Sequence, residues 1–142
     1  METNSVKKSV TINADINKVW NYVSKITSLS WLEGHKSSKF LSEKKRGVGA
    51  IRSITFEDGT NVVEYVVGWR PKKYFSYIVT SGLPIDAYHA TISMSKNNDY
   101  VTLTWESYFT SRGTKSEFNV FTKFLSNFYA ISLNNLKNEL EV

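Results

Sequence analysis

Between about residue 38 and residue 110, apolar and polar side chains mostly alternate. On either side of that stretch they recur at helical spacing. The alternation predicts strands over Lys39–Glu43, Ala50–Phe56, Asn61–Trp69, Tyr74–Thr80, Ala87–Ser95 and Val101–Thr110. Turn signals separate them: Gly47-Val-Gly49, Glu57-Asp-Gly59, Arg70-Pro71, Gly82-Leu-Pro84 and Asn97-Asn-Asp99. Loops this short imply an antiparallel meander. Upstream, Val6, Val10 and Ile12 mark a first strand over Val6–Ile12. Asn13 is placed to cap a helix carrying Ile16, Val19, Trp20 and Val23, with Asp15 in its first turn. A short second helix or turn is expected around Ile26–Leu32. Downstream, Thr114-Lys-Ser-Glu117 reads as a capping box. It opens a long helix whose stripe runs Phe118, Phe121, Leu125, Phe128, Tyr129, Leu133, Leu136 and Leu140.

One residue breaks the pattern. Val48, Ala50, Ile54 and Phe56 share a strand parity, and Arg52 shares it with them. An inward arginine needs a partner or a wet cavity, because an unpaired buried charge is costly. Glu64, on the next strand, is the candidate partner. If Glu57-Asp58-Gly59 is a three-residue loop with Gly59 left-handed, Phe56 faces Thr60 and Arg52 faces Glu64. A two-residue Asp-Gly turn instead moves Glu64 to the outside. The alternation around Glu64 does not choose, since Val62 and Val66 share its face while Val63, Tyr65, Val67 and Trp69 take the other.

Composition narrows the function classes. A chain of 142 residues, 41% hydrophobic, suits one domain over residues 1–142 with one core. The aromatic share of 14% favours large inward side chains. The absence of cysteine excludes disulfides, thiolate metal sites and a Cys nucleophile. His35 and His89 lack metal-ligand spacing, so neither a metal site nor another cofactor is expected. No Gly-x-Ser-x-Gly elbow or phosphate-binding glycine loop occurs. The net charge of +5 comes from short, separated clusters such as Lys44-Lys45-Arg46. These read as solvated loops and strand edges, and nucleic acid is not the expected partner. With no apolar run of membrane-spanning length and no apolar stretch near Met1, a cytoplasmic location is expected.

The order strand, helices, six strands, long helix is that of an α+β protein. Several local strings resemble the polyketide cyclase/dehydrase-like branch of the START and birch-pollen-allergen (helix-grip) superfamily. They are Asn13-Ala-Asp-Ile-Asn-Lys-Val-Trp20, Leu29-Ser-Trp31, Gly49-Ala-Ile-Arg52, Asp58-Gly59 with Glu64, Tyr74-Phe-Ser-Tyr77, Gly82-Leu-Pro84, Tyr88-His-Ala-Thr-Ile92 and Leu103-Thr-Trp105. The resemblance implies a curved antiparallel sheet of about seven strands around the C-terminal helix, with two short helices after the first strand. It also implies a cavity holding a small apolar or amphipathic molecule. One branch, similar to lachrymatory-factor synthase, uses an Arg and a Glu for proton transfer, and Arg52 and Glu64 resemble that pair. Many relatives carry a Pro soon after the Trp31 position, where this chain reads Leu-Glu33-Gly34. Arg52 and Glu64 are therefore candidate anchors for a ligand's polar end, or catalytic groups if the protein is an enzyme; a purely structural ion pair is the alternative. Tyr77, Tyr88, Trp105, Phe121, Leu125, Phe128 and Tyr129 are candidate cavity walls, with ordinary core packing as the competing role.

Overall fold

The computed structural model describes residues 2–142. Its elements are β1 (Glu2–Ile12), α1 (Ile16–Val23), β2 (His35–Phe40), β3 (Ile51–Phe56), β4 (Asn61–Arg70), β5 (Tyr74–Ser81), β6 (Ala87–Asn97), β7 (Tyr100–Ser111) and α2 (Lys115–Leu140). The seven strands form one antiparallel sheet in the order β1-β7-β6-β5-β4-β3-β2. Only β1 pairs out of sequence. It lies beside β7 from Glu2↔Ser111 to Ile12↔Val101, so the first strand seals the edge that the last one would leave open. The sheet curves around α2, the expected helix-grip arrangement.

Helix α2 exists because its apolar stripe has somewhere to go. Phe118, Phe121, Leu125, Tyr129, Leu133, Leu136 and Leu140 are all buried along one face. Thr114 caps it, its hydroxyl oxygen accepting the Glu117 N–H at 3.1 Å. The reciprocal half of the capping box differs from the usual form. The Glu117 carboxylate accepts from the Thr114 hydroxyl at 3.0 Å, not from its backbone N–H.

Five expectations are corrected. Asp15, not Asn13, caps α1, accepting the Asn17 N–H at 2.8 Å, while the Asn13 N–H goes to the Glu141 carboxylate at 2.7 Å. Residues 24–34 form successive turns, so one short helix follows β1 where two were expected. The second strand runs His35–Phe40, not Lys39–Glu43, with a register shift between His35 and Ser37. Val48 lies in the β2–β3 loop and is 51% exposed, so it does not share the inward face of β3. Trp69 also departs from its parity. The β4–β5 register slips between Val66 and Gly68, which turns Trp69 back onto Trp20 and Phe75 at centroid distances of 5.2 and 5.8 Å.

Candidate ligand-binding site

The β3–β4 hairpin sets the polar end of the site. Gly59 adopts φ 89°, the left-handed conformation that a three-residue loop requires. The Phe56 N–H donates to the Thr60 carbonyl at 2.8 Å, and the Asp58 carboxylate accepts the Thr60 N–H at 2.9 Å. The loop is therefore Glu57-Asp58-Gly59, and Arg52 stands opposite Glu64. Both point inward, at 4% and 7% exposure. Arg52 Nε and Nη2 lie 2.8 and 2.7 Å from Glu64 Oε1. Its Nη1 donates to the Ile26 carbonyl at 2.6 Å, and its guanidinium carbon sits 5.2 Å from the Tyr77 ring centroid. Burial pushes the Glu64 carboxyl above its ordinary value, with the Arg52 charge and hydrogen bond opposing the shift.

This pair borders a cavity of about 790 Å³ between the sheet and α2. Strands β3 to β7 supply one wall, with Ile54, Val62, Phe75 and Ile92 among its apolar side chains. Helix α2 supplies the other, and the Leu29–Gly34 turns close one side. Of the residues expected there, Arg52, Glu64, Tyr77, Tyr88, Trp105, Phe121, Leu125 and Phe128 line the cavity. Tyr129 does not. It is wholly buried behind the wall, stacked on Trp105 with centroids 3.9 Å apart. Trp31 meets Trp105 edge to face at 5.9 Å. The aromatic wall is thus continuous with the core that backs it.

Two hydroxyls, those of Tyr77 and Tyr88, punctuate that wall, and the Tyr129 hydroxyl lies behind it. Trp105 Nε1 donates to the Tyr77 hydroxyl at 3.1 Å. The Tyr88 and Tyr129 hydroxyls bond to each other. Burial holds all three tyrosines above their ordinary pKa, so each is a neutral donor.

His89 is exposed on the outer sheet face. His35 is half-buried, bonded to the Ser38 hydroxyl at 2.7 Å; burial pushes its imidazole down, with Glu57 opposing. Among the described residues, no group of three or more His, Asp and Glu side chains is arranged to hold a metal ion. Among the described residues, no helix is long and apolar enough to cross a membrane.

Of the cavity mouth, only the Trp31–Gly34 loop is expected from the sequence, through the family resemblance. The mouth is bordered by Glu33, Gly34, Glu57, Asp58, Leu83 and Pro84, and on α2 by Glu117, Val120 and Phe124. One signal was available. Val120, Phe124 and Phe128 follow each other at intervals of four, a second apolar row beside the main stripe. Phe124 is 59% exposed and stacks on Phe128, as expected of a row that ends at an opening and not in a core.

Solved structures of the same fold come from several bacteria. An uncharacterised protein of Bacillus thuringiensis is 21% identical, with a TM-score of 0.79 over 96% of this chain and 98% of that one. The protein XoxI of Bacillus cereus is 21% identical, with a TM-score of 0.79 over 99% and 96%. A protein of Nitrosospira multiformis is 18% identical, with a TM-score of 0.81 over 96% of each chain. No curated protein is matched by the sequence. Residues 3–141, nearly the whole sheet and both helices, match a single family, and the chain belongs to it: the polyketide cyclase/dehydrase and lipid transport family.

Proposed function

We propose that the protein binds one small apolar or amphipathic molecule in the cavity between the sheet and α2. Arg52 and Glu64 hold its polar end; Tyr77, Tyr88, Trp105, Phe121, Leu125 and Phe128 enclose its body; Tyr129 stiffens that wall from behind. The observation carrying this reading is a cavity of about 790 Å³ in an otherwise close-packed interior, apolar along its length and polar at one buried pair. Water in such a space finds few partners, so an apolar occupant gains by releasing it.

The test fills the space. A fluorescent hydrophobic dye should bind once per chain, and Leu125→Trp, which projects an indole into the cavity, should abolish binding without lowering Tm. Equal dye binding by Leu125→Trp would place the ligand elsewhere. Native mass spectrometry of protein purified without detergent should show the bound species directly.

A second reading, an enzyme of the cyclase, dehydratase or isomerase kind, is favoured by one observation. The Glu64 carboxyl is raised by burial and faces the cavity that Tyr77 also lines. Glu64 then moves a proton on the ligand, while Tyr77 and Arg52 stabilise the developing oxyanion. Glu64→Gln should abolish turnover of a ligand found by the first test while changing its affinity little. Unchanged turnover would leave binding as the only role.

A further inference from the structure

The cavity is charged against the rest of the molecule. The protein carries thirteen Asp and Glu and eighteen Lys and Arg side chains. Five of the carboxylates, Glu33, Glu57, Asp58, Glu64 and Glu117, line the cavity, against one basic residue, Arg52. A net positive protein thus presents a negative entrance.

That single arginine is not free. Its Nε and Nη2 are taken by Glu64 Oε1 and its Nη1 by the Ile26 carbonyl. A fork held this way has its Nε/Nη2 donor pair occupied by Glu64 and unavailable to a ligand carboxylate. Both contacts from Arg52 land on Oε1 of a carboxylate that is more than nine-tenths buried on the cavity wall. Oε2 is therefore the oxygen a ligand can meet, and it is an acceptor.

The four remaining carboxylates are exposed and share one end. The Glu57 N–H donates to the Gly34 carbonyl at 2.8 Å, which fastens the Glu33-Gly34 turn to the tip of the β3–β4 hairpin. Asp58 is next in that tip, and Glu117 faces it from the first turn of α2. Among the described residues the ion pairs are Arg52–Glu64 and Lys137–Glu141, and neither neutralises this mouth. From Arg52 to Glu57 the strand rises roughly 17 Å, so the mouth and the buried pair are separated by the length of an amphiphile's tail.

We propose that the cavity selects its ligand by charge: besides the polar group held at Arg52 and Glu64, the occupant carries a protonated amine at its other end, among Glu33, Glu57, Asp58 and Glu117, and an acid in that place is rejected. This rests on the reading of the cavity as a ligand site. The two are separated by measuring a dodecyl series (dodecylamine, dodecanol and dodecanoate) below micelle-forming concentrations, by the fluorescence of Trp31 and Trp105 in the full chain. At low salt and neutral pH the amine should bind about tenfold more tightly than the carboxylate, with the alcohol between them. The amine-to-carboxylate ratio should shrink at about 0.5 M salt. Glu33→Gln/Glu57→Gln, which touches neither the helix cap nor the hairpin bond of Asp58, should lower the ratio at least about threefold and leave dodecanol binding unchanged. Dodecanoate or dodecanol binding as tightly as the amine, or a ratio unmoved by the double variant, overturns the charge selection and leaves the cavity reading standing. Failure of all three compounds to bind overturns both.

Discussion

Arg52→Leu tests the buried pair most directly. The substitution removes the only cation facing Glu64, together with the donor held by the Ile26 carbonyl. Breaking a buried pair by deleting one partner costs about 3–5 kcal/mol, because the surviving charge stays desolvated. Glu64 borders a cavity and can reach water, which favours the low end of that range. A loss of about 3 kcal/mol is therefore expected for Arg52→Leu, lowering Tm by roughly 6–12 °C in a domain of this size. Glu64→Leu should cost a similar amount, because it strands Arg52. The double variant Arg52→Leu/Glu64→Leu removes both charges and leaves branched apolar side chains of fair size. It should lie within about 1 kcal/mol of the wild type or above it. Urea unfolding followed by tryptophan fluorescence gives all three values, and the cycle isolates a coupling on the order of 5 kcal/mol. Single variants that each cost under about 1 kcal/mol and add in the double would show the pair to be uncoupled. Its role as a fixed polar anchor would then fail.

Three further outcomes follow from the geometry. Leu125 and Leu133 are equally buried on α2, at 4% and 2% exposure, but only Leu125 faces the cavity; Leu133→Ala should cost about 3–4 kcal/mol and Leu125→Ala nearer 2, and equal costs in denaturant melts would argue that the space is filled. Burial raises the Glu64 carboxyl above its unfolded value of 4.5, so its contribution to stability is present below that value and is lost as pH rises through the folded one. The wild type should accordingly lose stability relative to Glu64→Gln as pH rises above about 4.5, and a gain in melts over the same rise would mean that Arg52 outweighs burial. Gly59→Ala should cost about 1–2 kcal/mol from its positive φ alone, since no atom lies within 4 Å of the added carbon. Gly82→Ala should cost more, because its added carbon would fall 2.0 Å from the Asn61 carbonyl oxygen; equal melts for the two variants would discount that clash.

The elements that could be read from the sequence are those whose signal is local. Strands β3 to β7 and helix α2 each carry their own periodicity, and their order alone restricts the chain to a sheet gripping a helix. The failures cluster where a short-range event shifts the count. Alternation carried straight through Val66–Gly68 puts Trp69 on the face opposite Glu64, whereas a bulge there adds a residue without altering composition. Gly68 was the one hint: a side chain there would meet the Ser76 hydroxyl at 2.3 Å. At α1 two Asx residues competed for the cap. Strand pairing through Ile12, and the use of the Asn13 N–H by Glu141, left Asp15 to hold it.

The site divides along the same line. Arg52 announces itself by parity, but Glu64 depends on one residue of loop length, and the left-handed Gly59 settles it toward the inside. Periodicity places Phe121, Leu125 and Tyr129 on one helix face and cannot say which of them meets empty space. That depends on how far the sheet has curved away at each level: Trp105 fills the space beside Tyr129, whereas Leu125 is left facing the cavity. The Ile26 carbonyl that fixes Arg52 was invisible, because any residue type offers a carbonyl and only the turns after α1 bring this one into reach. The mouth carboxylates lie in three separate stretches of sequence, and nothing local joins them. They become one feature only when the hairpin tip closes on the Glu33-Gly34 turn, which is why the overall charge of +5 conceals an entrance of the opposite sign.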